Sequence, residues 1–380
     1  MTRTLADVDP APDAVLIALR AALDGSGPAI RVRAPGAVAP AEDQVVPQRV
    51  AVVIETSGSS GPPKRVALAT SALLTSASAT LAELGGPGRW LLCLPTHYVA
   101  GLQVLVRSVT AEADPLVLRP GGFDAAAFLA LARTMPVGER RYSSLVPVQL
   151  ARLLELAERD PAQAEALRSF DALLIGGQST PQALRERAAA LGVPLRLTYG
   201  SSETAGGCVY DGVPLHDVRM RVEDGQILLG GATLAEGYLD AAGALEHSAS
   251  VFVVLDGERW YRTGDAGTII DGRLRVTGRL DRVIVSGGEK VSLDVVESLL
   301  RDGIVPDAVV VRRADEQWGE VPVVVTAQEA PALAAVRALV VDRLGRAAAP
   351  AAVLAVPAIP LLASGKPDRR ALERGAAGAG

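Results

Sequence analysis

Apolar and polar positions along the chain alternate between two periods. From residue 50, "VAVVIETSGSSGPPKRVALAT" reads as a buried β-strand, a polar loop and a second short strand, since Val-Val-Ile runs bounded by turn residues favour strand. The pattern then predicts a helix over 70–84, a strand "WLLCLP" over 90–95, and a helix in "HYVAGLQVLVRSV", whose apolar residues fall at helical spacing. Strands in "PLVLRP", "YSSLVP", "DALLIGGQ" and "PLRLTYG" follow, interleaved with helices in "DAAAFLALARTM", "PVQLARLLELAER" and "TPQALRERAAALG". This alternation implies an α/β domain with mostly parallel sheet, whose site lies in the loops at strand C-termini, here 56–61, 176–178 and 199–204.

After about residue 210 the texture changes to short strands and turns, such as "GQILLGG", "VFVVLDGERWYRTGD" and "GRLRVTGRLD", which predict a β-rich subdomain. From 280 a compact α+β unit is expected, with helices in "SLDVVESLLRD" and "LAAVRALVVDRL" around strands in "AVVVRR" and "VPVVVTA". The chain therefore divides into a large domain, 1–279, and a small one, 280–380. The Ala/Pro stretches of 1–48 and the tail "ERGAAGAG" are low in complexity, and the tail is expected to lack fixed structure.

Composition excludes more than it assigns. A chain of 380 residues fits two domains, and a net charge of −5 without a basic block gives no nucleic-acid surface and no anionic-membrane partner. No apolar run is long enough to cross a bilayer, and the acidic N-terminus lacks a basic n-region, so a cytoplasmic protein without membrane insertion is expected. Two cysteines, Cys93 and Cys208, and three histidines leave little for disulfides or structural zinc. Lysine is the unusual count: of 38 Lys plus Arg residues, only Lys64, Lys290 and Lys366 are lysine. Lysine is a compact point charge where arginine is a delocalised fork, so these positions are candidates for point-charge chemistry, with a GC-rich genome as the bland alternative.

The loop "TSGSSGPPK" brings Thr56, Ser57, Gly58, Ser59, Ser60, Gly61 and Lys64 together. Glycines let the backbone approach and hydroxyls donate to oxygens, so the loop suits an anion, phosphate first. It is not a GxxxxGK[ST] loop, because Pro62 and Pro63 separate Gly61 from Lys64 and disfavour the helical opening that motif uses.

With "YGSSET" at 199–204, "YRTGD" at 261–265, "GRLDRVIVSGGEKV" at 278–291 and "LASGKPDRRAL" at 362–372, this loop completes five ordered motifs that resemble the adenylate-forming enzymes, which include acyl- and aryl-CoA ligases, luciferase and the adenylation domains of peptide synthetases. The resemblance spans roughly residues 50–372. It implies a two-step reaction: a carboxylate attacks the α-phosphate of ATP to give an acyl-adenylate and pyrophosphate, then the thiol of coenzyme A displaces AMP. It also implies roles. Lys366 would bridge carboxylate and α-phosphate, Glu203 would hold Mg²⁺, Asp265 would accept the ribose hydroxyls, and Arg279 would contact ribose or phosphate. Tyr199 would stack on adenine, with Gly200, Ser201, Ser202 and Thr204 around the nucleotide and Gly176, Gly177 and Gln178 lining the adenine slot. Asp281 matches the hinge about which the small domain turns, and Gly287 and Gly288 would line the pantetheine tunnel. Taken singly, Asp265 could be a turn residue, Glu203 a neighbour of a helix cap and Tyr199 a core aromatic; Lys290 reads as an exposed lysine at a helix entry.

"YGSSETAGGCVYDGVPL" and "GGATLAEGY" further resemble o-succinylbenzoate-CoA ligases of menaquinone biosynthesis, particularly short actinobacterial forms. That acid carries two carboxylates, one to activate and one to hold. His97 and Arg107 are the candidates beside the acyl group, against readings as a core histidine and a solvent-facing arginine. Gly101, Ala205, Gly206 and Gly207 would leave room for a flat ring. Cys208 reads as pocket wall or core, since the thiol belongs to coenzyme A. The shortened N-terminal region leaves part of the pocket wall and a homo-oligomer interface open. A ligase for another acid, a module loading a carrier protein, and an inactive nucleotide-binding paralogue stay as alternatives.

Overall fold

The computed structural model describes residues 1–36, 44–56, 64–119, 121–240, 242–246, 248–362 and 366–378. Two seven-stranded sheets form the bulk of the molecule. In one, Val50–Thr56 lies centrally and pairs antiparallel with Lys64–Ala69, Thr56 opposite Lys64, so the hydroxyl-rich loop joins the arms of a hairpin. Its own residues 57–63, including Ser57, Gly58, Ser59, Ser60 and Gly61, lie outside the described residues. Val50 to Ile54 are all buried, which is why this strand reads as an unbroken apolar run.

The expectation of mostly parallel sheet holds for the second sheet and not for the first. The second runs parallel through Leu116–Val117, Arg89–Leu92, Arg141–Leu145, Ala172–Ile175 and Leu195–Ser201, with helices between successive strands, before Gly206–Tyr210 turns back antiparallel. The first is parallel only among Thr2–Val8, Ala29–Val32 and Val50–Thr56, and its other neighbours pair antiparallel. Residues 1–36 are no featureless stretch: a strand, the helix Pro12–Asp24 and a second strand form a crossover whose Val15, Leu19 and Ala22 are buried. The strand Leu195–Ser201 also continues through Tyr199 and Gly200, which were expected in a loop.

The β-rich part is built by hairpins. Asp224-Gly225, Asp256-Gly257 and Asp271-Gly272 each have positive φ at both residues and join consecutive strands, the geometry of a two-residue type I′ turn that Asp-Gly satisfies best. The strand Glu258–Ile270 is the spine of this sheet and pairs with Arg273–Arg279, Asp265 standing opposite Arg279.

A fourth sheet, from Val283–Ser286 to Ala352–Ala355, forms the smaller C-terminal unit with helices Leu293–Asp302, Leu333–Leu344 and Arg369–Ala377. The tail expected to lack structure is helical to Ala377: Asp368 caps it on the Ala371 amide at 3.0 Å, and Leu372 and Ala376 pack onto Val309, Val311, Val323 and Val325. Glu297 ties this unit together. Its buried carboxylate accepts from Arg369 at 2.6 and 2.9 Å, from the Val310 amide at 2.9 Å and from Arg282 at 3.4 Å, and pairs with Arg301 at 3.0 Å. Burial alone would raise its pKa, but Arg369, then Arg301 and Arg282, hold it below the usual carboxylate range. Its contribution to stability is thus complete above the ordinary glutamate pKa and is lost as pH falls through the lowered one. Glu297→Ala is expected to destabilise the unit by roughly 3–5 kcal/mol, since it strands buried cations. Hydrogen exchange should show lost protection in Val309–Asp315 and Arg369–Ala377 with the two large sheets spared; unchanged protection there would refute the assignment.

Candidate active site

Strands from two sheets converge on one small cavity of about 50 Å³, lined by Tyr199, Gly200, Ser201, Leu229, Tyr261, Thr263, Asp265 and Arg279. Asp265 is its centre. The Tyr199 hydroxyl donates to Oδ2 at 2.7 Å and Arg279 Nη1 to Oδ1 at 3.1 Å, while the Asp265 amide donates to Thr263 Oγ1 at 3.0 Å. Burial raises the Asp265 pKa against the lowering effect of Tyr199 and Arg279. Burial and the Asp265 charge push Tyr199 upward, so its hydroxyl stays a donor at neutral pH. Burial works to discharge Arg279, but Asp281 at 3.3 Å and Asp265 hold it charged. An arginine therefore spans the cavity carboxylate and the expected hinge carboxylate.

Lys366 is exposed and is not among the lining residues. Desolvation and the neighbouring Arg279 charge lower its pKa, and Asp265 acts the other way, so its ammonium stands within electrostatic reach of both cavity residues. A backbone bond from the Leu362 amide to the Lys366 carbonyl, 2.8 Å, closes the loop's base. Gly287 and Gly288 stand elsewhere, exposed at a hairpin tip with positive φ, Gly287 so near Trp318 that a Cβ would lie 2.5 Å from the ring. Lys290 is exposed.

Gly176, Gly177 and Gln178 follow the strand Ala172–Ile175 and do not line the cavity; Gly176 is needed because a Cβ would meet Thr198 Oγ1 at 2.5 Å. Gly200 lets two backbones touch, a Cβ there falling 2.2 Å from the Gly206 carbonyl. Ser202, Glu203 and Thr204 form one 3₁₀ turn, braced by Thr204 Oγ1, which accepts from the Ser201 amide at 2.9 Å and donates to Gly206 at 2.8 Å. Glu203, 8% exposed, accepts from the Tyr238 hydroxyl at 2.8 Å. Lys64 Nζ lies over the ring of the same tyrosine, 5.0 Å from its centroid, and Thr56 Oγ1 donates to the Lys64 carbonyl at 3.4 Å. Among the described residues no group of three or more His, Cys, Asp or Glu could hold a metal. One buried carboxylate is the donor set of an ion that takes its other ligands from phosphate and water, as Mg²⁺ does.

Arg107 corrects its reading as a solvent-facing residue. It is 3% exposed, stacks over Trp90 at 4.9 Å, and has only long bonds of 3.5 Å to Ser144 and Tyr210. Its Nε has no partner, burial lowers its pKa, and no carboxylate pairs with it among the described residues. His97 is half-buried with Nδ1 unpartnered, packs on Tyr98, and is kept toward the neutral form by burial. Gly101 serves packing rather than lining: a Cβ would fall 2.2 Å from the Pro95 carbonyl. Ala205 and Gly206 are buried and Gly207 half-buried, Gly206 facing Gln103 and Val99. Burial pushes the Cys93 and Cys208 thiols up to about 12, which removes both as nucleophiles.

The family model for the AMP-binding enzymes matches residues 3–239, and that for the C-terminal domain of the same enzymes matches 296–366. The chain belongs to the AMP-binding enzyme family. A probable 2-succinylbenzoate–CoA ligase of Mycobacterium tuberculosis is 42% identical over 381 residues, 96% of this chain and 95% of that one. An indoleacetate–CoA ligase of Aromatoleum aromaticum is 32% identical over 94% of this chain and 71% of its own length. The structure of o-succinylbenzoate CoA synthetase (MenE) from Bacillus subtilis in complex with the acyl-adenylate intermediate OSB-AMP has the same fold, with a TM-score of 0.78 over 97% of this chain and 87% of that one at 24% identity. This AMP-binding enzyme thus has the large α/β domain and small C-terminal domain expected from its sequence.

Sequence reasoning missed Tyr238, Tyr261 and Thr263, although two of the motifs named above contain them; a tyrosine ending an apolar motif signals a buried ring with a hydroxyl that needs a partner. Tyr238 touches both Glu203 and Lys64. In this AMP-binding enzyme, Tyr238→Phe should keep the ring under Lys64 and free the Glu203 carboxylate. The expected outcome is a roughly 10- to 100-fold higher Mg²⁺ concentration for half-maximal pyrophosphate release, the equivalent of one hydrogen bond to a charged group; an unchanged Mg²⁺ titration would remove Tyr238 from the site.

Proposed function

We propose that this enzyme is an AMP-forming ligase that joins o-succinylbenzoate to coenzyme A for menaquinone synthesis, in the cytoplasm. The observation that carries the reading is the 42% identity to the mycobacterial relative over nearly the full length of both chains. Arg107 supports the choice of acid: a guanidinium stays charged at neutral pH, and a buried one without a counter-ion among the described residues is costly, so an acid with a second carboxylate supplies what those residues do not. A ligase for another aryl acid is the second reading, favoured by the 32% identity to the indoleacetate enzyme.

The chemistry is charge management. A carboxylate and a triphosphate repel each other, and positioned cations and donors lower that barrier. Lys64 and the hydroxyls of residues 56–60 receive the triphosphate, and Mg²⁺, when bound, neutralises phosphate charge beside Glu203. Asp265, fixed by Tyr199 and Arg279, accepts from the ribose. Lys366 holds the substrate carboxylate against the α-phosphate; a carboxylate oxygen forms the new P–O bond as the bond to the β-phosphate breaks and pyrophosphate leaves. The thiolate of coenzyme A then attacks the acyl carbon and AMP departs. We place the division of domains at 279/280, with Asp281 as the hinge that withdraws Lys366 and brings Gly287 and Gly288 to the thiol. The electrostatic coupling of Lys366 to Arg279 and Asp265 supports reading the present arrangement as the first pose.

The enzyme should be incubated with ATP, Mg²⁺, coenzyme A and a panel of acids, with acyl-CoA products read by mass. An ester of o-succinylbenzoate is expected, esters only of other acids would discard the pathway, and no pyrophosphate with any acid would overturn the reading. In the same panel Arg107→Leu should raise KM for o-succinylbenzoate by about 10- to 100-fold, the loss of a charge-assisted hydrogen bond, and leave benzoate-like monoacids less affected. Lys366→Ala should abolish pyrophosphate release yet convert preformed acyl-adenylate to the CoA ester. In the parent enzyme, kcat/KM for adenylation should fall as pH rises through a lysine pKa set below the usual range, because the charged form is the active one; a limb that persists unchanged in Lys366→Arg would belong to another group.

A further inference from the structure

The turn that carries Glu203 holds a conformation that its own residues do not favour. Among the described residues other than glycine, those with positive φ are Glu112, Asp211, Asp217, Asp224, Asp256, Asp271 and Ala205. Aspartate tolerates this region through its short polar side chain, and four of these aspartates sit in Asp-Gly turns. Ala205 has no such help. It is wholly buried at φ 50° and ψ 37°, two residues after Glu203, and the cost of that conformation must be offset by its surroundings.

Two helices supply the offset. Ser76 Oγ, on Thr70–Glu83, donates to the Ala205 carbonyl at 3.0 Å, and Gln103 Nε2, on Val99–Thr110, donates to the same oxygen at 2.7 Å. Both side chains are wholly buried and the two bonds fill both lone pairs of that oxygen. Gln103 meanwhile keeps its own Oε1 buried without a partner, a loss an apolar residue would avoid. The other end of the turn is held too: the Glu203 carbonyl accepts from the Ala235 amide at 2.8 Å, and its carboxylate from Tyr238.

We propose that Gln103, with Ser76, is a positioning residue for the adenylation step. The two donors lock Ala205 in the left-handed region, and this aims Glu203 at the triphosphate while laying Ala205, Gly206 and Gly207 along the acid. Gln103 also lies where it constrains that wall, since a Cβ on Gly206 would be 3.2 Å from its Cγ. The inference rests on the ligase reading above for its catalytic consequence and on the backbone geometry alone for the lock.

The test is a double-mutant cycle of Gln103→Leu with Ala205→Gly, because glycine adopts positive φ without strain and needs no lock. Gln103→Leu alone should lower kcat/KM for pyrophosphate release by about tenfold, raise the Mg²⁺ concentration for half-saturation and lower Tm. Adding Ala205→Gly should recover most of each loss relative to the single variant. Full activity in Gln103→Leu, or a double variant no better than the single, overturns the proposal. If Gln103→Leu fails to fold, Ser76→Ala, which removes the other donor with little change in volume, should give a smaller loss suppressed by the same glycine; additive losses overturn it equally. Parent enzyme that releases pyrophosphate while Gln103→Leu matches it refutes the positioning role alone. Parent enzyme that releases none with any acid refutes the ligase reading, and the lock is then decided by whether the Tm values in the cycle are coupled or additive.

Discussion

The structure turns on one guanidinium shared between two carboxylates. Arg279 binds Asp265 in the nucleotide cavity and Asp281 at the start of the C-terminal unit, and its own amide donates to Asp294 at 2.7 Å on the first helix of that unit. Asp294 in turn pairs with Arg282, and Arg282 with Glu297, which holds Arg369 three residues beyond Lys366. A series of ion pairs, joined at the Arg279 backbone amide, thus runs from the cavity carboxylate Asp265 to Arg369, beside the lysine loop. Arg279 and Asp281 are exposed, whereas Asp265, Asp294, Arg282, Glu297 and Arg369 are half-buried or buried, where charge pairs are screened less than on the surface.

Much of this was legible in the sequence because it is local. Asp-Gly pairs between alternating apolar residues specify hairpins, and the five motifs named the cavity residues Tyr199, Asp265 and Arg279. What was not legible depends on contacts far apart in the chain. The N-terminal crossover is alanine-rich, so its composition resembles a linker, and only burial of Val15, Leu19 and Ala22 reveals a packed helix. The tail helix shows too few apolar residues to stand out until Leu372 meets a valine sheet. Tyr238, Gln103 and Ser76 act through partners from 35 to 129 residues away, and no periodicity encodes such a meeting.

The scarcity of lysine gains a physical sense from where the three lysines stand. Lys64 rests over an aromatic face, Lys366 stands within electrostatic reach of Arg279 and Asp265, and Lys290 is exposed. Arginine does the structural work elsewhere, capping carbonyls and bridging carboxylates with its fork, as Arg141 does with Met135 and Pro136 and Arg369 with Glu297.

The two halves of the site are prepared differently, and the difference follows from what each must do. On the nucleotide side the protein's charges already satisfy one another: Asp265 has Tyr199 and Arg279, and Glu203 has Tyr238. Such pairing fixes the groups before any ligand arrives, so little reorganisation is left for the reaction itself. On the helix Val99–Thr110, which the proposed function sets beside the acid, Arg107 and Gln103 sit one helical turn apart, both buried and both with an atom unpartnered. A site that must tell one acid from another gains by leaving a buried charge whose need only the right ligand meets, because an acid lacking the second carboxylate leaves that need unmet. If the ligase reading holds, pairing is concentrated around the nucleotide carboxylates and the unmet need is left beside the acid.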